Sequence, residues 1–183
     1  MSSTSKPGDR GVTRLMYGRQ VSKAHPRLDA CGTVDELNAA LGLARSLTRH
    51  EFVRETVLAI QADLVVLMGE LATALEDLPR YVQDGFSTVS HEMTARLEAV
   101  IEKIKLAGRP PGWATPGATP DSAALDLART ICRRAERRAC ELAETGQLKN
   151  PEIVAYLNRL SELLWKLARW VEMEKPGGAG PDL

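Results

Sequence analysis

The sequence carries no net charge and no long run of apolar residues. Its 183 residues contain 24 Lys and Arg against 24 Asp and Glu, so no overall field attracts nucleic acid or an anionic membrane surface. No stretch approaches the roughly eighteen apolar residues of a transmembrane helix, and the first ten residues lack the apolar segment of a secretory signal. We therefore expect a cytoplasmic protein that binds neither nucleic acid nor membranes.

Cysteine and histidine are scarce, which argues against several kinds of site. The three cysteines, Cys31, Cys132 and Cys140, have no CxxC spacing, so they indicate neither a disulfide framework nor a structural zinc site, and we expect small buried side chains. None of the histidines follows a glutamate by three residues, as the ligands of a di-iron bundle would. A GxSxG motif is also missing, which leaves a Ser-His-Asp hydrolase little support. The sequence predicts no metal site.

Apolar residues recur in steps of three and four over long segments, which is the period of a helix with one buried face. The clearest signal runs from residue 50 to 78, and Pro79 is expected to end it because proline lacks an amide hydrogen. A second segment covers residues 153 to 171 and opens with Asn150 and Pro151, a capping residue and a first-turn proline.

Three further helices follow from the same signals. Thr119 and Pro120 begin one that Gly146 ends, and residues 93 to 104 form another that Gly108 and Pro110 close. The first helix contains Leu37, Leu41 and Ala44, and residues 33 to 36 have the pattern of a capping box, although the helix could begin a turn earlier.

Five helices with short or moderate loops, and almost no alternating β-branched stretch, predict an all-α, five-helix up-and-down bundle. The expected arrangement is that of four-helix-bundle and ferritin-like proteins, without the metal site. We predict a single domain over residues 1–175, with an N-terminal loop at 5–23 and the bundle at 27–175. The tail at 176–183 has too little apolar surface to bury and is expected to be disordered.

The segment ahead of the bundle differs in composition from the rest. Residues 5 to 23 are rich in glycine, lysine, arginine and hydroxyl side chains, which can form a backbone and lysine cradle for phosphate. The segment lacks the GK[ST] of a Walker A loop. It is either a phosphate-binding loop or a flexible N-terminal arm.

A group of arginines on one predicted helix is the second candidate binding site. Arg129, Arg133 and Arg137 recur every four residues and therefore share one helical face, with Glu136 beside them. Such a stripe is either a solvated face with Glu–Arg pairs or a site where guanidinium groups grip a triphosphate.

Two single residues complete the candidates. Asp35 lies near the predicted start of a helix, where a carboxylate also interacts favourably with the helix dipole. Asn158 lies within the otherwise apolar last helix, where it is either functional or an ordinary exposed position.

Together these segments resemble the PduO-type ATP:cob(I)alamin adenosyltransferase family over nearly the whole chain. The resemblance rests on GDRGVT at 8–13, GTVDELN at 32–38, ART with RRAER at 128–137, and YLNRLS at 156–161. It implies a homotrimer that binds ATP, with Mg²⁺ bridging phosphate oxygens, and a corrinoid at subunit interfaces. The implied ATP ligands are Ser5, Lys6, Gly8, Thr13, Arg14 and Lys23 from the loop, and Arg133, Arg134, Glu136, Arg137 and Asn158 from the helices.

The resemblance also implies a corrinoid site. Asp35 and Arg129 match a pair that links neighbouring subunits beside the corrin ring. Trp113 stands where a phenylalanine that displaces the lower cobalt ligand is expected, although this indole could instead pack on its own bundle. Two other positions depart from the family pattern, Ala118 in place of a glycine and Asp126 in place of a common histidine.

The implied reaction is attack of cobalt(I) on the 5′-carbon of ATP, with triphosphate as the leaving group. Such a reaction depends on positioning and charge stabilisation more than on acid-base catalysis. A reductase and an adenosylcobalamin-dependent acceptor enzyme are the implied partners. Two alternatives stay open: a non-catalytic module that holds or delivers ATP or adenosylcobalamin, and a purely structural bundle.

Overall fold

The computed structural model describes residues 7–104 and 114–173, and it is helical with a small sheet near the N-terminus. The described residues form six helices and two strands, so the prediction of a helical bundle is confirmed but the count of five helices is wrong. In chain order the elements are β1 (Val12–Arg14), β2 (Gln20–Ser22), α1 (Pro26–Leu47), α2 (Glu51–Leu71), α3 (Leu78–Gln83), α4 (His91–Lys103), α5 (Pro120–Glu144) and α6 (Glu152–Met173).

The core lies between the long helices. α1 packs on α2 and α5, and α6 packs on α4 and α5. Each fully buried leucine in this core contributes about 1.5–3 kcal/mol through removal of apolar surface from water. The seams predicted from the periodicity supply these residues, among them Leu37, Leu41, Leu64, Leu67, Leu157 and Leu164.

The second helix is shorter than predicted. α2 ends at Leu71 rather than at residue 78, and Pro79 occupies the first turn of α3 instead of stopping a helix. The cause is Arg27, which is buried and donates 2.9 Å hydrogen bonds to the carbonyls of Leu71 and Thr73. These carbonyls are thereby satisfied without a further helical turn.

The predicted capping box at residues 33 to 36 is also wrong. α1 begins two turns earlier, at Pro26, and the ring Nδ1 of His25 accepts a 3.1 Å hydrogen bond from the Arg27 amide. Thr33 is buried inside the helix, and its hydroxyl donates to the Asp29 carbonyl at 2.7 Å.

The predicted ends of the last two helices are confirmed. Thr119 and Ser122 form a reciprocal capping box at the start of α5, and Gly146 follows its end with φ +70°. The Asn150 side chain accepts a 3.1 Å hydrogen bond from the Glu152 amide at the start of α6. Gly108 and Pro110, expected to close α4, lie outside the described residues, as does the predicted tail at 176–183.

The N-terminal segment contains a β-hairpin that the sequence did not predict. β1 and β2 pair antiparallel, with Thr13 opposite Val21. The turn between them contains Tyr17 and Gly18 at φ 61° and 76°. Tyr17 is the only non-glycine residue at positive φ among those described, a conformation that costs about 1–2 kcal/mol.

The expectation that all three cysteines are buried is confirmed only in part. All three cysteines are free thiols, but only Cys132 is fully buried, while Cys31 and Cys140 are half-buried.

Within the described residues no single helix is long and apolar enough to cross a membrane. Only α2 together with the segment Leu75–Gln83 reaches the required length and hydropathy, and this pair is bent by 104°.

Candidate functional site

The structure describes most, but not all, of the predicted site residues. Ser5, Lys6 and Trp113 lie outside the described residues. The others fall into two groups, one in the N-terminal arm, defined here as residues 7–23, and one on the helices α1, α5 and α6.

In the arm, a lysine lies directly against a glycine turn. A Cβ atom added at Gly8 would be 3.5 Å from the Lys23 Nζ, and the Lys23 amide donates a 2.8 Å hydrogen bond to the Gly11 carbonyl. Gly11 has φ +71°, which favours glycine. An exposed ammonium group over a glycine turn is an arrangement that can receive a phosphate.

Thr13 and Arg14 follow this turn on β1. They are consecutive strand residues, so their side chains point to opposite faces of the hairpin. Thr13 is half-buried and Arg14 is exposed. The arm therefore offers a hydroxyl group on one face and a guanidinium group on the other.

The arm is fixed to the bundle by its turn. The Met16 amide donates to the Ala72 carbonyl at 2.9 Å, and Arg19 makes a two-pronged ion pair with Asp77 at 2.9 and 3.1 Å. The Arg19 hydrogen bond lowers the pKa of the Asp77 carboxyl. The Tyr17 hydroxyl donates to Asp84 at 2.9 Å. Sequence reasoning missed these anchors, since no motif marks them.

The arginines of α5 are not equivalent. Arg133 and Arg137 are exposed and form no ion pair or hydrogen bond within the part of the chain that the structure describes. Arg134 instead pairs with Glu36 of α1, and Arg129 donates from Nε to Asp126 at 3.0 Å. The Glu–Arg pairs of this segment are thus formed by Arg134 and Arg138, outside the stripe, and the interpretation of the stripe as a solvated face with such pairs does not account for Arg133 and Arg137.

Glu136 of α5 and Asn158 of α6, the remaining helical candidates, lie at a similar height along the bundle. The Cys132 thiol donates to the Leu157 carbonyl at 3.3 Å, which places the next residue of α6, Asn158, beside the middle of α5. Asn158 is exposed, and Glu136 is half-buried. Burial raises the pKa of the Cys132 thiol well above its usual range, so this cysteine is a packing residue and not a nucleophile.

Asp35 is exposed on α1 and is not paired with Arg129 in this chain. Ion pairs of Asp29 with Arg138 and of Glu36 with Arg134 show that α1 and α5 run antiparallel. None of the hydrogen bonds and ion pairs found for Gly8, Thr13, Arg14 and Lys23 reaches Arg133 or Arg137. Among the described residues, therefore, no hydrogen bond or ion pair joins the two groups within one chain.

Comparisons with known proteins agree on one family. A family model described as cobalamin adenosyltransferase matches residues 3–171. The corrinoid adenosyltransferase PduO of Salmonella typhimurium is 39% identical over 173 residues, which cover 92% of this chain and 49% of that protein. A corrinoid adenosyltransferase of Citrobacter freundii is 36% identical, with 90% of this chain and 92% of that protein covered.

A solved structure is also similar over nearly the whole chain. A variant of the PduO-type ATP:corrinoid adenosyltransferase from Lactobacillus reuteri, complexed with cobalamin and ATP, superposes with a TM-score of 0.81 at 30% identity and covers 93% of each chain. The present chain spans about half the length (49%) of the first curated relatives that it matches. The matched family model, the relatives and the shared fold show that this chain belongs to the cobalamin adenosyltransferase family.

Proposed function

We propose that this chain transfers the 5′-deoxyadenosyl group of ATP to the cobalt of cob(I)alamin or a related reduced corrinoid, releasing triphosphate. The observation that carries the proposal is the pair of exposed guanidinium groups at Arg133 and Arg137, which have no partner among the described residues. Unpaired arginines on a helix are suited to bind a polyanion such as triphosphate, because a guanidinium group binds phosphate through two parallel hydrogen bonds.

The arm supplies the second half of the nucleotide site in this proposal. Lys23, Gly8 and Thr13 contact the phosphates, with Ser5, Lys6 and Arg14 completing the loop, while Arg134, Glu136 and Asn158 hold the nucleotide from the helices. The described residues contain no group of three His, Cys, Asp or Glu side chains able to hold a metal. In this proposal Mg²⁺ enters with ATP as part of the substrate, bound to the phosphate oxygens.

The chemistry requires few catalytic groups. Cobalt(I) supplies an electron pair to the 5′-carbon of ATP, the bond from that carbon to the phosphate oxygen breaks, and triphosphate leaves with the bonding electrons. Holding the two reactants in line converts a bimolecular step into an effectively unimolecular one. Fixed cations beside the triphosphate stabilise the charge that develops on the leaving group. The arginines and Lys23 have this role.

We place the corrinoid at an interface between subunits of a homotrimer. Asp35 is exposed and is not paired with Arg129 within the chain, as expected if each pairs across the interface. The adjoining halves of α1 and α5 also expose Leu43, Leu47 and Leu127, at 49%, 43% and 50% of their surface. Burial of these side chains between copies would favour association. Light scattering measures the oligomeric state, and a monomer at micromolar concentration would contradict this part of the proposal.

Trp113 is proposed to cover the lower face of the corrin ring and so displace the lower cobalt ligand. Because univalent cobalt is difficult to form, a reductase is the expected electron donor and an adenosylcobalamin-dependent enzyme the expected acceptor of the product. The predicted cytoplasmic location is compatible with both.

The direct test is anaerobic incubation of the protein with MgATP and chemically reduced cobalamin. The proposal predicts repeated turnover to light-sensitive adenosylcobalamin with one triphosphate released per product. Retention of one cofactor per site without turnover would instead support a binding or delivery module. A melting temperature that ATP does not raise would support a structural bundle, since a ligand selective for the native state stabilises it.

A further inference from the structure

A buried ionic cluster joins α5 to the C-terminal part of α6. Asp126 and Arg169 are 3% and 2% exposed, and the Arg169 Nη2 donates to the Asp126 Oδ2 at 2.6 Å. The same nitrogen donates to Glu172 at 2.9 Å. The second oxygen of Asp126, Oδ1, accepts the 3.0 Å hydrogen bond from the Arg129 Nε. One carboxylate therefore connects a core arginine with an arginine of the candidate site.

The cluster is costly as a purely structural element. Removing charges from water costs several kcal/mol per ion, so a buried ion pair is often no more stabilising than apolar residues of the same volume. Here Asp126 also replaces the histidine that the family resemblance predicts. A neutral imidazole has one acceptor nitrogen and could not accept from two arginines at once, whereas a carboxylate can.

The hydrogen bond to Arg129 is made in a way that leaves this arginine functional. It uses Nε, so both terminal nitrogens stay available, and the Arg129 side chain is 24% exposed. Arg169 holds the carboxylate from the opposite side and is anchored in turn by Glu172. The bond thus restricts the rotamers of Arg129 without occupying the atoms that would bind a partner.

We propose that Asp126 is a positioning residue for the corrinoid site, which acts by holding Arg129 through Nε while Arg169 fixes the carboxylate to α6. The inference rests on the proposed function, because Arg129 is placed beside the corrin ring there. Asp126 itself touches neither substrate. Its loss should weaken corrinoid binding and leave ATP binding nearly unchanged, since Arg133 and Arg137 do not depend on this hydrogen bond.

The test compares Asp126→Asn with Glu172→Gln, a control that removes the other carboxylate from Arg169 but does not touch Arg129. Steady-state kinetics and equilibrium binding of cob(II)alamin in the presence of ATP give the readouts. We expect Asp126→Asn to raise the corrinoid Kd and KM about tenfold and the KM for ATP less than about twofold. Glu172→Gln should change neither by more than about twofold, although both variants lower the melting temperature. Equal corrinoid constants for the two variants would overturn the inference.

A double-mutant cycle tests whether Asp126 acts through Arg129. In an Arg129→Ala background, Asp126→Asn should add less than about a twofold further loss of corrinoid affinity, because the group it positions is gone. A full tenfold loss in that background would overturn the inference.

A second variant keeps the test decisive if Asp126→Asn does not fold. The double replacement of Asp126 and Arg169 by leucine removes both of the nearly fully buried charges together and should fold, because neither of these two is left buried without the other. The charges that lose a partner in this variant, Glu172 and Arg129, are 19% and 24% exposed and stay in contact with solvent. The variant should show the same loss of corrinoid affinity, and normal affinity would overturn the inference. Wild-type protein that binds corrinoid without turnover would contradict the transfer activity alone, since the binding constants still test Asp126; wild-type protein that binds no corrinoid would overturn both.

Discussion

Arg133 offers the most informative substitution in the proposed ATP site. Its side chain is exposed and has no ionic partner in the described residues. Arg133→Ala therefore leaves no orphaned carboxylate and keeps a good helix former, so the free energy of unfolding should change by no more than about 0.5 kcal/mol. Any large effect on ligand binding can then be assigned to the ligand contact.

The expected magnitude follows from the kind of bond lost. A hydrogen bond to a charged group is worth about 1.5–3 kcal/mol, which corresponds to a roughly 10- to 150-fold increase in Kd for ATP. The corrinoid carries no triphosphate, so its Kd should rise by less than about threefold. The ratio between the two losses, rather than either one alone, tests the assignment.

Arg138→Ala is the matched control, since it removes the same charge from the same helix. Arg138 is 43% exposed and is already paired with Asp29 at 2.8 Å and Glu141 at 3.2 Å. Its loss should cost at most about 1 kcal/mol of stability and leave ATP affinity unchanged. Titration calorimetry with MgATP and with cob(II)alamin gives both constants. Equal loss of both ligands in Arg133→Ala, or an equal loss of ATP in Arg138→Ala, would refute the reasoning.

Three further predictions concern the arm and the core. Asp77→Asn removes the ion pair with Arg19, one of the contacts that anchor the arm, so the KM for ATP should rise while the KM for the corrinoid does not. The Arg19 hydrogen bond lowers the pKa of the Asp77 carboxyl, so the wild-type ion pair is complete above the ordinary aspartate range and is lost as pH falls through the lowered pKa. In that pH range amide hydrogen exchange of the arm, measured relative to the intrinsic exchange rate, should become faster. Gly69→Ala places a Cβ 2.3 Å from the Tyr81 hydroxyl oxygen and should cost about 1–3 kcal/mol in denaturant unfolding, whereas Gly42→Ala, with a 3.6 Å contact, should stabilise the protein by about 0.5–1 kcal/mol; equal effects would contradict the packing argument. The Cys132 thiol, buried and with a raised pKa, should react with a thiol reagent only at the rate of unfolding. Because Cys31 and Cys140 are half-buried free thiols, the labelling rate is measured for each cysteine by peptide mass spectrometry, and fast labelling of Cys132 itself in the native protein would contradict its placement.

Local sequence signals predicted the helices well because they depend on neighbouring residues. The apolar period gave the buried faces of α2 and α6, and Thr119, Gly146 and Asn150 marked helix ends through their own side chains or backbone conformation. These features require no knowledge of the rest of the chain.

The errors arise where distant parts of the chain decide the outcome. The early end of α2 depends on Arg27, which lies 44 residues before the Leu71 carbonyl that it binds. The arm hairpin is too short for a periodic signal and is held by contacts to the residues just before and after α3, such as that of Arg19 with Asp77, 58 residues apart. No local propensity encodes these contacts.

In the candidate site, too, the sequence predicted what depends on neighbouring residues and missed what depends on distant ones. Helical spacing correctly placed Arg133 and Arg137 together on an exposed face. The family resemblance added Arg134, and the sequence could not show that Glu36 of another helix pairs with it. The link between Asp126 and Arg169 spans 43 residues and was invisible in the sequence, where Asp126 was only a departure from the family pattern.

The central claim is that the arm and the arginine stripe hold one and the same nucleotide. The most direct measurement is a crystal structure with MgATP and cob(II)alamin. The claim predicts phosphate oxygens of a single ATP within about 3.2 Å of both the Lys23 Nζ and the Arg133 guanidinium, from one chain or from two neighbouring chains, with the ribose 5′-carbon facing cobalt. ATP bound by one group while the other lies far from it, within the chain and across every subunit contact, would contradict the claim.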